Sequence, residues 1–263
     1  MINGTLFRDA IISAAITIGN RKKEVDELNV YPVPDGDTGT NMSMTIGNSV
    51  AELRRLENNV TISETASIAS SAFLRGARGN SGVILSLIFR GIAKGLNGCN
   101  EANCADFAKS LQLGVESAYK AVMKPVEGTI LTVARACAEK AKEISLSTNE
   151  DVIFWTEVCT EAEKVLAQTR EMLPQLKKAG VVDAGGKGLV IIFKAMRDVF
   201  AGGKIAEPIT AQENQDTFKT AVSEYDDEIN HTYCTEFMIE KKENCPDPFM
   251  LRAYLETIGD CVV

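Results

Sequence analysis

The sequence predicts an all-α fold, an array of about eight helices over roughly the first two hundred residues, and three observations support this prediction. Apolar residues there recur at steps of three and four, the period of a helix with one buried face. The apolar–polar alternation typical of strands is nearly absent before residue 204. Glycines cluster between the predicted helices. A hydrophobic content of 45% gives such an array enough apolar material for a core.

The individual helices follow from the same periodicity. Phe7, Ile11 and Ile18 share one face of a first helix, and Thr38 is a plausible N-cap for a second helix from about residue 40. Ala72, Val83, Leu87 and the small residues between them indicate tight helix–helix contact, and an apolar helix is expected directly after Gly82. Further helices are predicted for the segments 105–123, 129–144, 150–173 and 188–200. Short, glycine-bearing loops join them.

The sequence pattern changes near residue 203, from helical periodicity to a polar segment. We expect residues 1–203 to form one complete domain and the polar segment 204–230 to be a linker with a partial helix. Residues 231–263 then read as the start of a truncated second α+β domain. Within it, HTYCTEFMIEK alternates like a strand and DPFMLRAYLETIG predicts a helix after an N-terminal proline.

Charge and composition exclude several classes of function. The net charge is −8, aromatic residues make up 6%, and no Lys/Arg-rich run occurs, so we expect no nucleic-acid binding. The N-terminus lacks the pattern of a signal peptide, and the longest apolar run, 188–193, is too short to span a membrane. Seven scattered cysteines without a CxxC pair indicate reduced thiols and a cytoplasmic protein.

The segment NVYPVPDGDTGTN, residues 29–41, is the first candidate site. Asp35 and Asp37 repel each other unless a cation lies between them, and Gly36 allows the backbone to turn both side chains toward one point. Oxygen ligands suit Mg²⁺ or Ca²⁺, and an EF-hand is excluded because its glycine would fall at Thr40. A magnesium site that shares its ligands with phosphate remains, and the alternative is a surface turn.

The segment RGARGNSG, residues 75–82, is the second candidate. Asn80, Ser81 and Gly82 offer hydrogen bonds and close backbone approach directly before an apolar helix, which suits a phosphate cradle at a helix N-terminus. Arg75 and Arg78 would then neutralise phosphate charge. A helix C-cap followed by a turn, with solvated arginines, explains the same spacing equally well.

Two further glycine-bearing loops have weaker signals. GVVDAGGKG, residues 180–188, is not a P-loop, because Val181 and Gly188 occupy positions that need Gly and Ser/Thr. Asp183 and Gly185 are candidates for nucleotide contact, although spacing alone favours a flexible connection and a solvated Lys187. Gly128 and Thr129 open a helix, with an N-cap as the first role of Thr129 and ligand contact as the second.

The single histidine, His231, leaves residues 1–203 without a histidine base or a Ser-His-Asp relay. His231 and Cys234 are compatible with part of a metal site, but a lone pair of this kind is more often packed or exposed.

Four motifs in order carry a family resemblance: NVYPVPDGDTGTNM, RGARGNSGVILS, EGTILTVARACAEKA and LKKAGVVDAGGKGL. Over about residues 1–203 they resemble the nucleotide-binding domain of the dihydroxyacetone kinase L-subunit family, and more closely the N-terminal domain of bacterial fatty acid kinase catalytic subunits. The resemblance implies an eight-helix antiparallel barrel that binds ATP and one or two Mg²⁺ ions at one rim.

The resemblance also assigns residues to the site. Asp35 and Asp37 are the expected catalytic and metal-binding carboxylates. Dihydroxyacetone kinases have a third aspartate where this chain has Val30, and Asn29 is the expected substitute ligand. The expected contacts to nucleotide or phosphate are Thr38, Gly39, Thr40, Asn41, Asn80, Ser81, Gly82, Gly128, Thr129, Asp183 and Gly185.

The activity implied by the resemblance is transfer of the γ-phosphate of ATP to a fatty acid, held by a separate fatty-acid-binding carrier protein. A dihydroxyacetone-type kinase and a non-catalytic nucleotide-binding module are the alternatives. A homodimer formed through the full-length protein is also compatible with the resemblance.

Overall fold

The computed structural model describes residues 1–122, 124–209, 247–255 and 257–258 and is helical almost throughout these ranges. Eight helices of ten or more residues confirm the all-α prediction. They are α1 Gly4–Asp26, α2 Thr38–Gly47, α4 Ile62–Arg75, α5 Gly79–Gly95, α6 Cys104–Ala121, α7 Ile130–Ile144, α8 Asp151–Met172 and α10 Ala184–Phe200. Shorter elements are β1 Ile2–Asn3, α3 Val50–Leu53, β2 Glu101–Ala102, α9 Pro174–Ala179 and α11 Pro248–Leu255.

Local sequence sets several of the helix ends. Thr61 and Asn103 begin α4 and α6 with reciprocal capping boxes, and Thr129 begins α7 by accepting a hydrogen bond from the N–H of Leu131. Gly180 ends α9 in the left-handed conformation, with φ of 71°. These capping groups satisfy backbone groups that would otherwise lack partners and so fix the helix boundaries.

The long helices close into a ring. Each helix packs against the next in the order α1, α4, α5, α6, α7, α8 and α10, and α10 packs against α1, which closes the ring. Helix α2 packs against α1, α5 and α10. Glycines allow the closest approaches: a Cβ on Gly91 would collide with the backbone of Gly114 between α5 and α6, and one on Gly39 would collide with Lys22 of α1.

An aromatic cluster fills the interior. The ring of Trp155 lies 5.3 Å from that of Phe107 and 5.8 Å from that of Phe193, and Trp155 is only 1% exposed. The described cysteines are free thiols, and burial raises the pKa of Cys137 and Cys159, so these two residues act as neutral core side chains.

Three details differ from the sequence prediction. The antiparallel pair β1–β2 forms before residue 204, where no strand was expected. Helix α2 begins at Thr38, with Asp37 in the N-cap position, so the expectation that Thr38 caps a helix from about residue 40 is wrong. The barrel also includes two short helices, α3 and α9, beyond the expected eight.

Part of the predicted tail can be compared with the structure. Residues 204–209 lie along α1: the N–H of Ala206 donates to Ser13 Oγ, and Asn20 bonds both the carbonyl of Glu207 and the N–H of Ile209. Helix α11 confirms the predicted helix after residue 247. The predicted strand with His231 and Cys234, the partial helix after residue 209 and the last five residues lie outside the described residues. Within the described ranges, no helix is both long and apolar enough to span a membrane.

Candidate functional site

A small apolar cluster holds three loops together at one end of the barrel. Val30, from the loop between α1 and α2, is buried against Leu173 and Leu176. Tyr31, Val126 and Val181 pack against this cluster. Val126 precedes α7 and Val181 precedes α10, so the cluster joins the acidic loop to both. Val30 is 7% exposed in these apolar surroundings, which explains why a hydrophobic residue occupies this position.

The acidic loop brings its two carboxylates together. Gly36 adopts a φ of +67°, and the side chains of Asp35 and Asp37 are within hydrogen-bonding reach of each other. The Asn29 amide donates to Asp35 Oδ1 at 2.6 Å. Asp35 lies at the surface, yet neighbouring protein atoms displace enough water to raise its pKa, and the charge of Asp37 raises it further, to about 6. A cation between the two carboxylates would relieve this repulsion.

Helix α2 begins directly after this loop, and its first turn is capped from α1. Asp26 accepts hydrogen bonds from the N–H of Thr40 at 2.9 Å and from Thr40 Oγ at 2.8 Å, whereas Asp37 makes no side-chain cap. Asp26 was missing from the sequence prediction, since it lies on another helix and belongs to no local capping pattern.

The N-terminus of α5 meets the first turns of α2. A Cβ on Gly79, which has a φ of +56°, would collide with the Asn41 side chain, and one on Gly82 would collide with Thr45 Oγ. The segment 75–82 therefore ends one helix with Gly76 as its C-cap and starts the next at Gly79, and its role as a phosphate cradle stays a prediction. Asn80 and Ser81 lie in the first turn of α5.

The two arginines of this segment have protein partners. Arg75 pairs with Glu52 at 2.5 Å, and Arg78 Nη1 donates to the carbonyl of Ala77. Arg75 thus pairs with α3, and neutralisation of phosphate charge by the two arginines stays a prediction.

A buried carboxylate joins the N-termini of α7 and α10. Asp183 accepts hydrogen bonds from the N–H groups of Gly186, at 2.7 Å, and Ile130. Gly185 packs on Ile130, so Thr129 and Gly185 lie on neighbouring turns. Burial raises the pKa of Asp183 to about 7, although both N–H groups favour the ionised form. The Asp183 side chain thus organises the two turns, and its contact with nucleotide stays a prediction.

Helix α10 also connects these turns to α2. A Cβ on Gly188 would collide with the sulfur of Met42, and Lys187 Nζ pairs with Glu24 Oε1 at 2.9 Å. Lys187 is therefore paired with α1 rather than freely solvated. Through these contacts the N-termini of α2, α5, α7 and α10 gather at the end of the barrel that carries the acidic loop.

The loop supplies only some of the oxygen ligands that a hard divalent ion needs. Among the described residues, no group of three or more His, Cys, Asp or Glu side chains lies close enough to hold a metal. Two carboxylates and the Asn29 amide suit Mg²⁺, which keeps several waters and shares phosphate oxygens as ligands. The residues therefore fit a magnesium ion that is held jointly with phosphate.

Comparison with known proteins identifies the family. A model of the DAK2 domain matches residues 32–198, the greater part of the barrel. The chain belongs to the DAK2 domain family. The DAK2 match includes Asp35, Asp37 and the N-termini of α2, α5, α7 and α10, whereas Asp26, Asn29 and Val30 lie just before the matched range.

Relatives and solved structures extend this comparison. The chain is 43% identical over 274 residues to an uncharacterized protein of Staphylococcus haemolyticus and 42% identical over 271 residues to one of Staphylococcus aureus. All of the chain is matched but only 48% and 49% of those proteins, so it spans about half their length.

Two crystal structures share the fold of this DAK2 domain. One is the dihydroxyacetone kinase of C. freundii in complex with AMP-PNP and Mg2+, with a TM-score of 0.55 and 17% identity over 73% of this chain and 33% of that one. The other is the native form of that kinase, with a TM-score of 0.54 and 15% identity over 75% of this chain and 35% of that one.

Proposed function

We propose that this DAK2 domain binds Mg·ATP at the acidic end of its barrel and transfers the γ-phosphate to a fatty acid carboxylate, giving an acyl phosphate. The observation that carries the proposal is the junction of the Asp35–Asp37 loop with the N-termini of α2 and α5, fixed by the contact between Asn41 and Gly79. Helix N-termini attract anions, and paired carboxylates attract the cation that accompanies a triphosphate.

The site residues divide between cation and phosphates. Asp35 and Asp37, with Asn29 beside them, would hold Mg²⁺, which when bound would neutralise charge on the triphosphate. Thr38 and Gly39 at the start of α2, with Asn80 and Ser81 at the start of α5, would face the phosphate oxygens. Val30 leaves the loop with two carboxylates instead of three, which favours a single ion.

The turns before α7 and α10 would contact the rest of the nucleotide. Asp183 holds these turns side by side, and the packing of Gly185 on Ile130 brings the turn of Gly185 next to that of Thr129. The bond between Lys187 and Glu24 keeps α10 against α1 beside the acidic loop.

The composition of residues 1–203 supports a fatty acid as the acceptor. They contain no histidine, so a base of that kind is absent from the barrel sequence. A fatty acid carboxylate is already ionised near neutral pH and needs no base to attack phosphorus. A separate lipid-binding carrier would present the fatty acid.

Dihydroxyacetone is the second candidate acceptor, favoured by the fold shared with the C. freundii kinase. Burial of Val30, where dihydroxyacetone kinases have a third aspartate, favours the fatty acid instead. ATP consumption by the full-length protein, with a fatty acid on its carrier or with dihydroxyacetone and its own carrier, separates the two. Turnover with neither would indicate a non-catalytic nucleotide-binding module.

The metal-binding role is tested by Asp35→Asn and Asp37→Asn, which keep side-chain shape and remove charge. We expect each to raise the Kd for Mg·AMP-PNP about tenfold or more and to abolish phosphate transfer, because the loop would hold less tightly the cation that neutralises the triphosphate. Isothermal titration measures the Kd. Asp198→Asn, at the far end of α10, is the matched control and should bind like wild type. Unchanged affinity in both loop variants would refute the site.

A further inference from the structure

The turn that opens α7 is held by a network around Glu127. The carboxylate of Glu127 accepts from Thr132 Oγ at 2.6 Å, from Arg135 Nη2 at 2.7 Å and from the hydroxyl of Tyr119 at 3.0 Å. Thr132 Oγ in turn accepts the N–H of Gly128 at 2.8 Å. Three side chains from α6 and α7 therefore converge on the residue directly before the Gly128–Thr129 turn.

The direction of these hydrogen bonds matters, because a threonine hydroxyl has one proton to donate. Donating that proton to Glu127 leaves the oxygen lone pairs of Thr132 for the N–H of Gly128. Without Glu127, the hydroxyl is free to rotate and to donate elsewhere. Glu127 thus sets the orientation in which Thr132 can hold Gly128.

The turn itself needs such support. Gly128 has a φ of +90°, and a Cβ there would press against Met172 and Leu173. The turn is thereby fixed against α8 on one side and by Thr132 on the other. Desolvation acts to raise the pKa of Glu127, but hydrogen bonds from Thr132, Arg135 and Tyr119 outweigh it and keep the pKa below its ordinary value. Glu127 therefore stays ionised at neutral pH.

We propose that Glu127 is a positioning residue that, through the Thr132 hydroxyl, holds the Gly128–Thr129 turn in the geometry required for nucleotide binding. This inference rests on the proposed function, because it assigns the turn to the nucleotide site. The side chain of Glu127 is 55% exposed, so its replacement leaves the core intact.

Two pairs of variants test the proposal in the full-length protein, with Mg·AMP-PNP as the probe. Thr132→Val keeps the shape and removes the hydroxyl, whereas Thr132→Ser keeps the hydroxyl. Glu127→Ala removes the acceptor, whereas Glu139→Ala removes another carboxylate that pairs with Arg135, at 3.3 Å, but lies away from the turn. We expect Thr132→Val and Glu127→Ala each to raise the Kd about five- to tenfold, and both control variants to stay within about twofold of wild type.

The double variant Glu127→Ala/Thr132→Val separates positioning from general destabilisation. If both residues act on one turn, its Kd should match that of either single variant rather than the product of the two losses. Amide hydrogen exchange over residues 126–132 should rise in the two single variants and remain unchanged in Glu139→Ala.

The outcomes distinguish this inference from the proposed function. A wild-type protein that binds no Mg·AMP-PNP would overturn the proposed function. Weakened binding in Asp37→Asn, together with wild-type affinity in both Glu127→Ala and Thr132→Val, would overturn the role of Glu127 alone. Equal losses in Thr132→Val and Thr132→Ser would also overturn it, since the hydroxyl would then not be the cause.

Discussion

Burial determines the chemistry of Asp183. The residue is 5% exposed, and its described partners are the N–H groups of Gly186 and Ile130. Burial denies the ionised carboxylate the hydration it would have in water, whereas two helix N-termini attract its negative charge, so two opposing effects act on its pKa. The loss of hydration is the larger effect and gives a pKa of about 7, against an ordinary value of 3.8.

The raised pKa of Asp183 predicts how stability depends on pH. The folded protein holds this proton more tightly than the unfolded chain, so the contribution of Asp183 to the free energy of unfolding falls as pH rises from about 4 to about 7. Relative to Asp183→Asn, which does not titrate, the wild type should lose about 2 kcal/mol between pH 5 and pH 7. Urea unfolding at several pH values measures this difference, with Asp198→Asn as a control for loss of one negative charge. If the free energy of unfolding of the wild type instead rose with pH relative to that of Asp183→Asn, attraction by the helix N-termini would be the larger effect.

At the scale of helices, the start of α2 shows where local sequence stops being informative. The periodicity of α1, α7, α8 and α10 is visible in the sequence because each helix buries a continuous face. The acceptor that caps α2 lies 14 residues before Thr40, at the end of a different helix, and no local pattern reveals it. For the same reason, the sequence shows only that Val30 replaces the third aspartate of dihydroxyacetone kinases. It does not reveal the burial of Val30, since its apolar partners come from distant segments.

The glycine-rich loops could be predicted as a shared rim, because helices that reverse direction bring alternate connections to the same end. The hydrogen-bond partners within that rim could not be predicted from the sequence. Asp26, Glu127 and Thr132 read as ordinary helix and loop residues in the sequence, and only tertiary contacts give them a role at the site.

The cap from α1 predicts a coupling between helix stability and metal affinity. Asp26→Ala removes both acceptors for Thr40 and should lower the free energy of unfolding by about 1 to 2 kcal/mol, because the first turn of α2 loses its cap. Asp26→Asn keeps one acceptor oxygen and should lose less. Fraying of this turn should also weaken Mg·AMP-PNP binding in Asp26→Ala, as measured by titration at a temperature where the variant is folded. Wild-type stability and affinity in that variant would contradict the role of this cap.

At the scale of the whole molecule, both stretches after residue 203 that the structure describes contact the barrel. Residues 204–209 lie along α1, held by Ser13 and Asn20 in the direction of the acidic loop. Helix α11 lies at the end of α6, where Arg252 Nη2 donates to the carbonyl of Ala121 at 2.8 Å. Residues after Ala121 lead directly into the Gly128–Thr129 turn, so both segments contact the barrel near its site end.

The contact of Arg252 predicts that α11 steadies the connection between α6 and α7. The last carbonyls of a helix lack partners within the helix, and a guanidinium there satisfies one of them and complements the negative end of the helix dipole. We expect Arg252→Ala to speed amide hydrogen exchange over residues 118–129 by about five- to tenfold in the full-length protein, and Arg252→Lys, which keeps the charge, to have a smaller effect. Arg54→Ala, at the end of α3, is the control and should leave this segment unchanged. If exchange over 118–129 were the same in Arg252→Ala as in wild type, the contact would not stabilise the connection, and the Glu127 network alone would hold the turn.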